Sequence, residues 1–118
     1  MDQRRARQLV ARERARIESA LADLGDELRA EGPIQRQQPG DSGDAGSALQ
    51  TESVAIALTA DLREQLAAVG RAEERIALGA YGKSIESGKP IPDERLEAEP
   101  LAERTVEEQR LFDLRGPN

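Results

Sequence analysis

The chain contains no cysteine, no histidine and no tryptophan, and its 118 residues include one tyrosine, Tyr81, and one phenylalanine, Phe112. Each absence closes off a chemistry. Without thiols there are no disulfides and no thiolate nucleophile, and without imidazole the commonest general base is missing. A zinc site built from Cys and His is excluded, so carboxylates are the only conventional metal ligands left. Aromatics make up 2% and charged residues 34% of the chain, which leaves little bulk for a compact core and favours elongated helices. No apolar run approaches the roughly 20 residues that span a bilayer, and the N-terminus has no apolar export segment, so a cytoplasmic location is expected.

What the chain has in quantity is charge, unevenly placed. Residues 1–16 hold six arginines (4, 5, 7, 12, 14 and 16) against Asp2 and Glu13, so that a net charge of −6 divides into +4 there and −10 in the remainder. An acidic protein lacks the dense basic face that neutralises phosphates, so direct nucleic-acid binding is not expected and a protein partner is. The arginines either solvate the start of a helix or meet an acidic partner surface; composition does not choose between these.

Residues 2–31 contain no proline, and Val10, Ile17, Leu21, Leu24 and Leu28 step by three and four with Arg14 in the remaining slot, the pattern of a helix with a coiled-coil seam. Gly32-Pro33 predicts its end. Residues 33–50 are rich in Gln and Gly with only Ile34 and Leu49 as large aliphatics, and read as a mobile tip. Ser47-Ala-Leu-Gln50 reads as a capping box that starts a second helix near Ala48, with a seam at Leu58, Leu62, Gln65, Val69, Ala72 and Ile76, running to about Gly79. Two amphipathic helices of equal length joined by one connection predict an antiparallel hairpin over residues 1–80 and a monomer, with self-association as the alternative.

Residues 81–118 change character. Gly82, Gly88, Pro90, Pro92 and Pro100 punctuate short apolar words, and Thr105-Val-Glu-Glu108 forms another capping box, opening a short helix that stops at Gly116-Pro117. Ile85, Ile91, Leu96, Leu101, Val106 and Phe112 are the candidate apolar cluster of this lobe.

The wording Tyr81-Gly82-Lys-Ser84-Ile-Glu-Ser87-Gly88, followed by Arg95-Leu96-Glu-Ala98-Glu-Pro100, resembles the C4-type zinc finger of the DksA/TraR family of transcription regulators. The resemblance covers essentially residues 2–115. It places the four cysteine ligands of the family on Ser84, Ser87, Thr105 and Glu108, and its acidic coiled-coil tip on Asp41, Asp44, Ala45 and Gly46, with Gly46 where the family has alanine. What the resemblance implies is a mainly α fold, a long antiparallel coiled-coil hairpin plus a degenerate zinc-finger-like lobe with a short C-terminal helix. It also implies binding to bacterial RNA polymerase through the secondary channel, with Asp41 and Asp44 near the active centre.

Three neutral hydroxyls and one carboxylate are a poor zinc set, so no zinc is expected. Thr105 and Glu108 are expected in the capping box, and Ser84 and Ser87 on turn amides. Family members respond to the alarmone ppGpp through basic residues. The matching positions here hold Ala68, Glu99 and Gln109, so ppGpp dependence is expected to be weak or absent, although Arg95 is kept. Asp41 and Asp44 lie in a polar tip with nothing to shape a pocket, so no enzymatic activity is expected. The alternative function is that of a coiled-coil adaptor that has lost polymerase activity.

Overall fold

The computed structural model describes residues 1–36 and 45–116, with side chains for 1–26 and 52–116. It is mainly helical, in the order α1 (Gln3–Arg36), α2 (Ala45–Leu78), α3 (Asp93–Ala98) and α4 (Val106–Arg115). Among the described residues the only β pairing is one isolated antiparallel bridge between Lys83 and Pro90. The two long helices pack together as the coiled-coil reading required.

Their ends follow local chemistry. Asp2 caps α1: its carbonyl accepts from the Ala6 amide at 3.0 Å and its carboxylate from the Arg4 amide at 3.3 Å. At the far end of α2 the amide of Gly79 bonds the Ile76 carbonyl and that of Ala80 the Arg75 carbonyl, with Gly79 at φ +74°. That is a Schellman ending, which needs a left-handed residue and so suits glycine.

Two boundaries differ from expectation. α1 continues through Gly32-Pro33 to Arg36. Proline forfeits one hydrogen bond, but its fixed φ is itself helical, so a helix stabilised elsewhere along its length can absorb it. α2 begins at Ala45 rather than Ala48. Ser47 is therefore inside the helix and Ser47–Gln50 is not its cap, while Gly46 falls in the first turn, where few intrahelical bonds depend on it.

Chain contacts divide into two compact units, one of Met1–Glu13 with the residues from Ala68 onward, the other of Arg14–Ala67. In the first, Ala6, Leu9 and Val10 of α1 and Val69, Ala72 and Ile76 of α2 are buried, and Gln3 Nε2 donates to the Ile76 carbonyl at 3.2 Å. Ile91, Leu96, Pro100 and Ala102 complete the buried apolar set of that unit. In the second, Ile17 is fully buried and Arg16 donates to Gln65 Oε1 at 3.1 Å, but Leu21, Leu24 and Leu62 are half-buried and Leu58 of the expected seam is 48% exposed. A pair of helices covers each seam residue from one side only, so complete burial there is scarce.

The apolar cluster expected in the lobe is smaller than predicted. Ile91 and Leu96 are buried and Leu101 is half-buried, but Ile85, Val106 and Phe112 are exposed. Val106, Leu111, Phe112 and Leu114 are spread around α4 instead of forming a stripe, so no single face of the helix can bury them together. No residue of α4 is buried.

Candidate functional site

The finger wording proves to be a set of paired parts. Tyr81 Oη donates to the Pro100 carbonyl at 2.7 Å. Gly82 has φ +87°, and a β-carbon there would stand 3.5 Å from Leu96 Cδ1, so a glycine turn lies directly against the fully buried leucine. Arg95 Nε donates to the Arg104 carbonyl at 3.0 Å. Ala98 closes α3, a short helix hidden in what reads as a turn-rich segment; Pro92 precedes it and the Glu99 amide bonds the Arg95 carbonyl at its end.

Residues 84–89 form a tight knuckle. The Ser84 amide bonds the Lys89 carbonyl, the Gly88 amide bonds the Ser84 carbonyl, and Gly88 takes φ +76°. Ser84 is the one buried polar residue among those described, and its Oγ accepts from the amides of Glu86 at 3.0 Å and Ser87 at 3.2 Å. Ser87 Oγ accepts from the Lys89 amide at 3.2 Å. Both serines thus serve turn amides, as short hydroxyl side chains do in turns.

Thr105 and Glu108 make the reciprocal capping box that opens α4: the Glu108 amide donates to Thr105 Oγ1 at 3.2 Å and the Thr105 amide to Glu108 Oε1 at 2.9 Å. The nearby hydroxyls of Ser84 and Ser87, followed by the Thr105 amide bond, hold the Glu108 carboxyl down to about 2. Of the four positions matched to zinc ligands, Thr105 and Glu108 therefore bond each other, and Ser84 and Ser87 bond knuckle amides. This donor set does not fit zinc, since neutral hydroxyls are weak ligands, and no group of three or more Asp, Glu, His or Cys able to hold a metal occurs among the described residues.

A further tie joins the segments that carry the two ligand pairs. The Ile85 amide donates to the Glu103 carbonyl at 2.9 Å. The Glu103 side chain accepts from Arg71 at 3.0 and 3.2 Å and from Arg75 at 3.0 Å. Burial alone would raise its pKa, but the Arg71 hydrogen bond and the charges of Arg71, Arg75 and Arg104 outweigh it, so the carboxyl stays below its ordinary range. Sequence reasoning missed this cluster, because no spacing rule connects Arg75 with a residue 28 positions away.

Where the alarmone residues would lie, Glu99 is paired with Arg95 at 3.4 Å and Gln109 donates to Asp113 at 2.9 Å. The retained Arg95 also donates to the Arg104 carbonyl. Ala45 and Gly46 stand in the first turn of α2, whereas Asp41 and Asp44 lie outside the described residues.

No protein-family model matches the chain, and no curated protein matches it. Among solved structures it is similar to the transcription factor DksA2 from Pseudomonas aeruginosa, with a TM-score of 0.78 and 27% identity over 96% of this chain and 84% of the other. No helix among the described residues is long and apolar enough to cross a membrane. With a helical pair of this kind, a lobe assembled from the finger wording and a likeness that spans nearly its whole length, the chain has the DksA-like fold, in a form without the finger's cysteines.

Proposed function

We propose that this protein is a transcription regulator that binds bacterial RNA polymerase, inserts the end of its α1–α2 hairpin into the secondary channel and acts there without contacting DNA and without catalysis of its own. The observation that carries this reading is the likeness to a transcription factor over 96% of the chain. The proposed contact residues are Asp41 and Asp44, with Ala45 and Gly46 at the start of α2. An acidic tip suits a channel that admits nucleoside triphosphates, because a passage for anions is lined with positive potential and opposite charge speeds and orients entry. An acidic chain of net charge −6 agrees with a protein partner in preference to nucleic acid. We place the protein in the cytoplasm, with its partner, and infer little or no response to ppGpp.

The test is binding of the purified protein to bacterial core RNA polymerase in competition with a Gre-type channel factor. Mutually exclusive binding is expected. Asp44→Asn should retain binding and lose the transcriptional effect. Simultaneous binding of both factors would remove the channel from the proposal, and absence of binding by the folded protein would remove the polymerase.

A further inference from the structure

Within the unit of Arg14–Ala67, one stretch of α2 departs from the charged character of the chain. Residues 53–60, Ser-Val-Ala-Ile-Ala-Leu-Thr-Ala, hold no charged side chain in a protein of which 34% is charged, yet Val54 is 58% and Ile56 64% exposed. A helical stretch that is apolar on every side is ordinarily buried on every side. Here α1 lies along the seam, where Arg16 donates to Gln65 Oε1 and Leu62 is half-buried, and Ile56 stands on another face.

That other face has an order of its own. Glu52, Ile56, Thr59 and Arg63 step by four, three and four, which stacks them on one side of the helix over about three turns. Glu52, Ile56 and Arg63 are exposed and Thr59 is half-buried. Thr59 Oγ1 donates to the Ala55 carbonyl at 2.8 Å, so its hydroxyl is satisfied inside the helix and its methyl group is the part left for contact. The face therefore reads acid, apolar, apolar, base.

We propose that this face binds a second copy of the same chain, α2 against α2 in the antiparallel sense. Turned end for end, the face meets itself: Glu52 of one copy stands opposite Arg63 of the other and Ile56 opposite Thr59, each pair occurring twice about the two-fold axis. A closed dimer needs such a self-complementary surface. The parallel arrangement sets Glu52 against Glu52 and Arg63 against Arg63, so charge selects the direction, while the apolar pairs between them supply surface to be taken from water. A partner of a different kind would have no use for acid and base placed symmetrically about an apolar centre. A contact about three turns long falls well below the area of a permanent dimer, so the association is weak and reversible. A paired hairpin is thicker than a single one, and pairing would therefore compete with entry into a channel; that consequence rests on the proposed function, whereas the pairing does not.

The experiment is sedimentation equilibrium of the purified full-length protein from micromolar to millimolar concentration, with circular dichroism to show that each variant keeps its helices. A rise from the monomer mass toward the dimer mass is expected. Glu52→Arg and Arg63→Glu should each weaken association about tenfold, because each sets like charges across both ends of the contact. The two variants mixed together, or combined in one chain, should recover it to within about threefold, since acid again faces base. Ile56→Ser should weaken it about tenfold with helix content unchanged. A protein that stays monomeric at every concentration overturns the proposal. So does a dimer that Ile56→Ser leaves intact, or one whose charge-reversed variants fail to rescue each other, because the pairing surface would then lie elsewhere. Polymerase takes no part in the measurement, so its outcome is separate from that of the channel-competition test.

Discussion

The guanidinium carbon of Arg104 stands 3.8 Å from the centroid of the Phe112 ring, and the same side chain donates through Nε to the Glu86 carboxylate. Arg104 is thus shared between the knuckle and α4, and it is largely buried while doing so, with 16% of its side chain exposed. A cation against a ring face is worth about 0.5–2 kcal/mol, more as water is excluded. A double-mutant cycle of Arg104→Ala and Phe112→Leu, followed by denaturant unfolding, should give a coupling energy in that range. Additive effects would mean that the two residues are neighbours without interacting.

Acid should loosen the lobe in a defined window. The Glu108 carboxyl is held at about 2 in the folded protein against 4.5 ordinarily. A depressed folded pKa means that the contribution to stability is complete above about pH 4.5 and is lost as the pH falls toward 2. Glu97, lowered by its hydrogen bonds from Arg5, and Glu103 add losses of the same sign. The side-chain carboxyl carbon of Glu108, followed by NMR, should titrate with a midpoint near 2. Glu108→Gln should flatten part of the decline in stability below pH 4.5; an unchanged profile would contradict the assignment.

Tyr81 offers a clean optical reading because it is the only tyrosine. Burial raises its pKa above 10, against the opposing influence of Arg75. Absorbance of phenolate formation should show a midpoint above that of the unfolded chain, and stability from this group should persist below pH 10 and fall as the pH rises through the folded value. Tyr81→Phe strips the Pro100 carbonyl of its donor, and Pro100 is buried, so the loss should be about 1–2 kcal/mol.

Glu103→Ala should be more damaging. Arg75 has 14% of its side chain exposed and its Nε is buried without an acceptor, so the neighbouring carboxylate is its main compensation. Leaving such a cation half-buried should lower unfolding stability by about 2–3 kcal/mol, less than for a fully buried pair because Arg71 can turn to water. A loss below about 0.5 kcal/mol would place Glu103 among ordinary surface ion pairs.

How far the residues announce all this depends on whether the cause is local. Thr105 and Glu108 are three apart and bond each other, so the cap of α4 can be read directly from the spacing, and Gly79 likewise marks the end of α2. Val10, Ile17, Val69, Ala72 and Ile76 lie on a periodic seam and are buried as the period requires. The continuation of α1 past Gly32-Pro33 is hidden, because a local penalty is overruled by the stability of a 34-residue helix. Helix α3 is hidden too, since six residues are too few to show a period. Ser84 and Ser87 are legible as turn residues, and both hydroxyls accept from knuckle amides as short polar side chains in turns do. The exposed Ile85, Val106 and Phe112 mislead because apolar residues suggest burial, and here a guanidinium covers Phe112 instead.

A helix that buries nothing carries few obligations. Thr105 and Glu108 cap α4, and Phe112 and Arg115 tie it to Arg104 and Glu86, which leaves Glu107, Arg110, Leu111 and Leu114 with little to do for folding. Those positions are open to mutational drift. Lineages of such a protein can rewrite the chemistry of this outer surface one substitution at a time while the fold stays intact, and a saturation survey of α4 should divide into a few intolerant sites among many indifferent ones.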